Sequence, residues 1–306
     1  MNYLITIVGP TAIGKTALSI ALAKYYNCEI ISCDSRQFFK EMTIGTAVPS
    51  QLELNQVQHH FIQNKSILES YTVGDFEKEA ILKLDILFKK NPIQIMVGGS
   101  GLYVDAVLKG LDSFPEVNNT VKQQIQHDFE HYGIEYLQNK LQELDPEYYN
   151  QLTNQNPQTL SNPQRLMRFV TVSISVGKPY SYFLNRNKKS RNFTPIIIGL
   201  EADRNIIYER INQRVDIMMQ NGFLQEAQNL YSHKNLNALQ TVGYKELFQY
   251  FNQEISLPFA IEQIKMNTRR FSKRQLTWFK KTENVIWFDY QTPVSNIIET
   301  INLKLI

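Results

Sequence analysis

The chain has 306 residues, 43% of them hydrophobic, enough to bury a full core as one large domain or a domain with an insertion. Its formal net charge is +3, its two cysteines, Cys28 and Cys33, fit neither a C-x-x-C pair nor a zinc pattern, and no run approaches the roughly 20 apolar residues a bilayer helix needs. These features exclude a membrane-spanning chain and a disulfide-stapled domain; the opening MNYLITIVGP lacks a basic head and cleavage site, so a cytoplasmic protein with free core thiols is expected.

YLITIV (3–8) predicts a strand, and it runs into GPTAIGKT (9–16), which matches the phosphate-cradling pattern G-x-x-x-x-G-K-[ST] at every fixed position. Gly9 and Gly14 let the backbone wrap around an anion, with Pro10, Thr11, Ala12 and Ile13 completing the loop and amides at the next helix start pointing toward it. Lys15 supplies a cation, and Thr16 offers a hydroxyl to a Mg2+ ion that also holds phosphate oxygens. TALSIALAKYY then places Leu18, Ala21, Leu22 and Tyr25 at helical spacing. CEIISC (28–33) predicts a second strand, ending in Asp34 and Ser35. A carboxylate there, beside the phosphate loop, can hold Mg2+ through water, accept a proton from an incoming nucleophile, or cap its own loop. Ser35 and Gln37 add hydrogen-bonding groups of the kind that read a base edge or an alcohol. His59 and His60 lack further ligand spacing, so no metal site is expected there.

A helix is signalled by Phe76, Ala80, Ile81, Leu84 and Leu87, and IQIMV (93–97) reads as the third strand. That strand ends in Gly-Gly-Ser-Gly, where ordinary P-loop hydrolases carry an acid that supports magnesium and positions water. Such a layout suits a transferase that excludes water. The alternation predicts an α/β fold, a P-loop NTPase-like parallel sheet flanked by helices.

From 113 to 191 the β-branched runs stop and Gln and Asn become prominent, which predicts an all-helical insertion domain between core segments 1–112 and 192–306. Its clearest helix starts at LSNPQR, where Ser161 or Asn162 caps and Pro163 suits the first turn, and stops at VGKP. On it Arg165 and Arg168, three apart, share one face, while Leu166, Phe169 and Val170 pack the other. Strands resume at TPIIIGL (194–200) and NVIWF (284–288), with long helices between. In one of these, Arg210 and Arg214 lie one turn apart, where one can reach a diphosphate bidentately unless Glu209 or Asp216 engages them. Residues 265–281 hold seven basic residues and no acid, which leaves the rest of the chain at −4. Their cations suit phosphates, and Phe271, Trp278 and Phe279 either stack on unpaired bases or dock in the core.

Taken in order, GPTAIGKT, DSRQ, the run from Gly98 to Tyr103, NPQRLMR with VGKP, ERINQRVDIM, VGYKE and TRRFSKRQLTWFKK resemble the tRNA dimethylallyltransferase (isopentenyltransferase) family over nearly the whole chain. The sequence departs from that family's usual pattern at Phe39 for Tyr, Ser100 for Thr, and Val48 for Lys; Val48 is expected to be peripheral. The resemblance implies transfer of a dimethylallyl group from dimethylallyl diphosphate to the N6 amine of the adenosine 3′ of the anticodon, position 37, so that the loop holds a leaving group and no phosphoryl moves. It implies that residues 9–16 bind the diphosphate and that Lys15, Thr16 with Mg2+, and Arg214 stabilise it, while Asp34 takes the proton of the attacking amine. It also carries over tRNA contacts to Asp34, Ser35, Arg36, Gln37, Ser100, Gln164, Arg165, Leu166, Met167 and Arg168, with Arg270, Lys273 and Arg274 along the backbone of the anticodon stem-loop and the insertion clasping the loop. A monomer is expected. Two rivals remain at this point, a P-loop small-metabolite kinase and a noncatalytic RNA-binding protein with a relic phosphate loop.

Overall fold

β1 (Tyr3–Val8) is buried along all six residues, as befits a strand covered on both faces of a parallel sheet. In the computed structural model, which describes residues 1–184 and 190–305, it is an inner strand of a six-stranded sheet with β2 (Ile30–Ser32), β3 (His59–His60), β4 (Ile93–Val97), β5 (Thr194–Glu201) and β6 (Val285–Asp289). The order is β3-β2-β4-β1-β5-β6 and each pairing is parallel. The chain is therefore α/β, a parallel sheet flanked by helices, as expected. β3 is an additional strand: two residues are too few to show a period in the sequence, and the pair is held as an edge by β2, with His60 Nε2 2.6 Å from the Glu29 carboxylate.

The chain divides into two compact units, Met1–Lys109 with Arg191–Ile306, and Gly110–Ser190. Residues 185–189 of the expected insertion and residue 306 of the expected core lie outside the described residues. In the first unit α1 (Lys15–Tyr26), α2 (Gln51–Leu54), α3 (Val73–Phe88) and α4 (Gly101–Lys109) accompany the first four strands. The buried face of α1 differs from the expected one: Leu18, Ile20, Leu22 and Ala23 are buried, whereas Tyr25 is 57% exposed. The helix buries a broader face than one stripe because Ile297 and Ile301 near the C-terminus join the same apolar cluster.

The second unit contains α5 (Asn119–Leu144), α6 (Pro146–Gln155) and α7 (Pro163–Val176), with Gly133 at φ 72 breaking α5 into two helical stretches. Of the two caps the sequence offers for α7, Ser161 and Asn162, it is the Asn162 side chain that accepts from Arg165 N–H at 3.1 Å, and Gly177 closes the helix at φ 66. Leu137, Leu141, Leu166 and Val170 form this unit's own core.

α8 (Arg204–Gln220), α9 (Phe223–Leu230), α10 (Tyr244–Phe251), α11 (Leu257–Phe279) and α12 (Val294–Asn302) complete the first unit. Phe39 is buried in their apolar cluster with Met42, Phe223 and Tyr244, a setting that needs no hydroxyl. Cys28 and Cys33 are free and buried. No helix among the described residues is long and apolar enough to cross a membrane.

Candidate active site

The carboxyl ends of β1, β2 and β4 meet. Cys33 N–H donates to the Val97 carbonyl at 2.7 Å and Gly98 N–H to the Ile7 carbonyl at 3.2 Å, so the loops leaving the three strands emerge side by side. A Cβ on Gly98 would lie 1.9 Å from the Cys33 carbonyl oxygen, so only glycine allows this approach.

The loop after β1 runs straight into α1 through Gly14 at φ 110. Within it Ala12 has φ 65, a left-handed backbone that costs a side-chain-bearing residue about 1–2 kcal/mol and persists where neighbours over-determine it. Three side chains supply that restraint: Arg210 Nε donates to the Ala12 carbonyl at 2.7 Å, Arg214 Nη1 lies 3.4 Å from Thr11 Oγ1, and Thr11 N–H donates to Gln275 Oε1 at 2.8 Å. Lys15 Nζ donates to the Gly9 and Pro10 carbonyls at 3.0 and 2.7 Å.

Charge is concentrated here under desolvation. Burial lowers the Lys15 amine to about 7, with the nearby Asp34 carboxylate pulling it back up and Arg214 pushing it further down. Burial, then the neighbouring Arg210, lowers the Arg214 guanidinium from its usual value. Burial raises the Asp34 carboxyl, against the Arg36 backbone N–H and the Lys15 charge. Cations that burial and mutual repulsion both disfavour are stabilised by an incoming anion, and a carboxylate made more basic is a better proton acceptor. The sequence alternative in which Glu209 or Asp216 engages the arginines does not occur: Glu209 accepts from Gln213, and Asp216 pairs with Lys265 at 2.8 Å.

These groups face one cavity of about 530 Å³, lined by residues 11–17, Ser32, Asp34, Gln37, Val97, Gly98, Gly99, Arg210 and Arg214. Its remaining wall includes Ile44, Val48, Ile217 and Met218. Val48 therefore belongs to the cavity and is not peripheral. The segment carrying it is held from α9, where the Glu226 carboxylate accepts the N–H groups of Thr43, Ile44 and Gly45 at 2.7–3.0 Å and the Tyr244 hydroxyl at 2.6 Å. Neither Glu226 nor the apolar wall was visible in the sequence, because their partners lie in different segments.

The DSRQ residues are largely engaged within the fold. Asp34 Oδ1 accepts from Arg36 N–H at 3.2 Å, so the carboxylate also serves as a local loop cap. Ser100 Oγ accepts from Ser35 N–H at 3.0 Å and bonds Ser35 Oγ at 3.1 Å, bringing those two predicted residues together. The Arg36 guanidinium donates to the Asn237 and Ala238 carbonyls, and Gln37 Nε2 to those of Thr46 and Ala47, which ties Gln37 to a loop that lines the cavity.

On α7, Gln164, Arg165 and Arg168 are exposed, Arg168 lying over the Phe114 ring at 5.4 Å. Met167 is half-buried, and Leu166 is wholly buried, so Leu166 is corrected from a contact residue to a core residue: its position on the inner face of an amphipathic helix keeps it from solvent. On α11 Lys265 and Arg269, and at its C-cap Lys280, have internal partners in Asp216, Asn212 and Glu201. Arg270, Lys273 and Arg274 remain exposed, and Phe279 is buried, whereas Phe271 and Trp278 are 38% and 39% exposed. The buried stripe of α11 includes Ser272 and Gln275. A polar residue on the inward period of a helix is the signal that could have singled out Gln275.

Thr16 and Asp34 offer a metal in this cavity a hydroxyl and a carboxylate, with Glu53 and His59 also in its lining, and no group of three or more His, Cys, Asp or Glu among the described residues could hold an ion. Hard oxygen donors without a full protein cage fit Mg2+, which keeps several waters and binds substrate phosphates.

A family model described as IPP transferase matches residues 37–282. The chain is 71% identical over 305 residues to a tRNA dimethylallyltransferase of Flavobacterium psychrophilum, covering 100% of this chain and 99% of that protein. It is 68% identical over 306 residues to one of Flavobacterium johnsoniae, covering 99% of each. Among solved structures it is similar to the full-length tRNA isopentenylpyrophosphate transferase of Bacillus halodurans, with a TM-score of 0.74 and 33% identity over 100% of this chain and 97% of that one. A eukaryotic dimethylallyltransferase acting on tRNA superposes with a TM-score of 0.83 at 25% identity, over 100% of this chain and 79% of that one.

Proposed function

The chain belongs to the IPP transferase family, and on that premise we infer that it transfers a dimethylallyl group from dimethylallyl diphosphate to the N6 amine of adenosine 37 of tRNA, releasing diphosphate. The observation that carries this reading is one cavity with a cationic, amide-rich end at Lys15, Arg210 and Arg214 and an apolar wall at Ile44, Val48, Ile217 and Met218. An allylic diphosphate has the same two halves. The small-metabolite kinase alternative is not favoured, since the family model is of an IPP transferase and the relatives are tRNA dimethylallyltransferases.

Breaking the allylic C–O bond builds charge on the diphosphate, which the loop amides, Lys15 and Arg214 are disposed to stabilise in a desolvated site. Thr16, with Asp34 through water, would hold Mg2+, which supplies charge neutralisation on phosphate oxygens when bound. The N6 amine becomes cationic as it attacks, and Asp34, whose basicity burial raises, accepts its proton. The adenine is extruded from the anticodon loop to reach the cavity. Ser35, Gln37 and Ser100 border the entry for the base, and Arg165 and Arg168 of α7 and Arg270, Lys273 and Arg274 of α11 contact the tRNA backbone. We place the enzyme in the cytoplasm as a monomer.

The test is incubation of the protein with dimethylallyl diphosphate, Mg2+ and unmodified tRNA, followed by mass analysis of nucleosides. Gain of one C5H8 unit on adenosine 37 is expected. No adduct on the tRNA, with ATP consumed in a parallel incubation that contains it, would overturn the reading.

A further inference from the structure

Gln275 takes no part in the chemistry above, yet it is 5% exposed and both ends of its amide are engaged at the site. Oε1 accepts Thr11 N–H at 2.8 Å, one residue before Ala12 at φ 65, and Nε2 donates to the Gly99 carbonyl at 3.0 Å in the loop after β4. One side chain thus cross-links the loops leaving two neighbouring strands. The seat is shaped for it: a Cβ on Gly99 would lie 2.2 Å from Gln275 Nε2.

Arg210, Arg214 and Lys15 also hydrogen-bond the strained loop, but they are cations that face the cavity an anion would enter. Gln275 is neutral, so its hold does not depend on the ligand's charge or on pH. An amide supplies the acceptor and donor that the two backbone groups require together, which a carboxylate or an ammonium does not. By engaging Thr11 N–H it also leaves to the anion the amides that follow Ala12.

We propose that Gln275 is a positioning residue of the transfer reaction, holding the loop of residues 9–14 in the conformation that accepts diphosphate before the ligand arrives. This rests on the reading of that loop as the diphosphate site. It is tested with the full chain by titrating inorganic pyrophosphate with Mg2+ in the absence of tRNA and, separately, an unmodified anticodon stem-loop. Gln275→Met removes both hydrogen bonds at nearly constant volume, and Gly99→Ala displaces the same amide from the opposite side, so it decides the matter if the first variant does not fold. Pyrophosphate affinity is expected to fall about tenfold in each, the size of releasing one left-handed residue, while stem-loop affinity stays within about twofold. Pyrophosphate binding reduced less than about threefold, or both affinities falling together as for a helix packing defect, would overturn the proposal. Wild-type protein that fails to bind pyrophosphate would instead overturn the reading of the loop, and the proposal with it.

Discussion

Lys15 offers the sharpest test of the electrostatics, because burial lowers its amine to about 7 in the free protein. Only the charged amine attracts an anion, and it predominates below that value; above it, binding diphosphate must first recruit a proton. At pH 6 the attraction of one charge for another about 4 Å away, at an effective dielectric near 20, is worth about 4 kcal/mol, or roughly 10³ in affinity. Each pH unit above 7 should then remove about a factor of ten, until the pKa of the bound state is reached. The assay is calorimetric titration of pyrophosphate from pH 6 to 9 for the wild type and Lys15→Met, comparing the two at each pH so that the ligand's own ionisation cancels. The affinity ratio should fall from about 10³ at pH 6 to about 10 at pH 9. A ratio independent of pH, or one near unity at pH 6, would refute the reasoning that a desolvated Lys15 binds the anion.

Asp34→Asn keeps shape but removes basicity, so single-turnover transfer should fall about 10²–10⁴ with stem-loop binding retained; recovery at high magnesium would assign Asp34 to the ion, and near wild-type transfer would remove it from the mechanism. Arg270→Ala with Lys273→Ala should lower the slope of log affinity for tRNA against log salt by about one for each phosphate no longer neutralised, and an unchanged slope would show that α11 does not meet phosphates. Glu226→Gln disturbs a carboxylate that holds three backbone N–H groups and the Tyr244 hydroxyl, so urea denaturation should show a loss of about 2–4 kcal/mol. The KM for dimethylallyl diphosphate should rise with it, since the held segment lines the cavity; a loss below about 0.5 kcal/mol would mean that the segment is held by other interactions.

The sequence by itself determined what depends on a few neighbouring residues. The strand into GPTAIGKT, the helix after it, the caps at Asn162 and Gly177, and the parallel alternation were all legible, because backbone period and turn chemistry are local. The family resemblance carried the reaction, since the motifs stand in order along nearly the whole chain. Tertiary structure decided which side chains share a space. Ile44, Val48, Ile217 and Met218 form one wall although they come from segments about 170 residues apart, and no periodicity joins them. It likewise turned Arg36 onto the Asn237 and Ala238 carbonyls, withdrew Lys265, Arg269 and Lys280 from the basic segment's free charge, and set Gln275 between Thr11 and Gly99. The reason is physical: a hydrogen bond or an ion pair is satisfied by whichever group the packed chain brings within about 3 Å, and distance along the sequence does not specify that group.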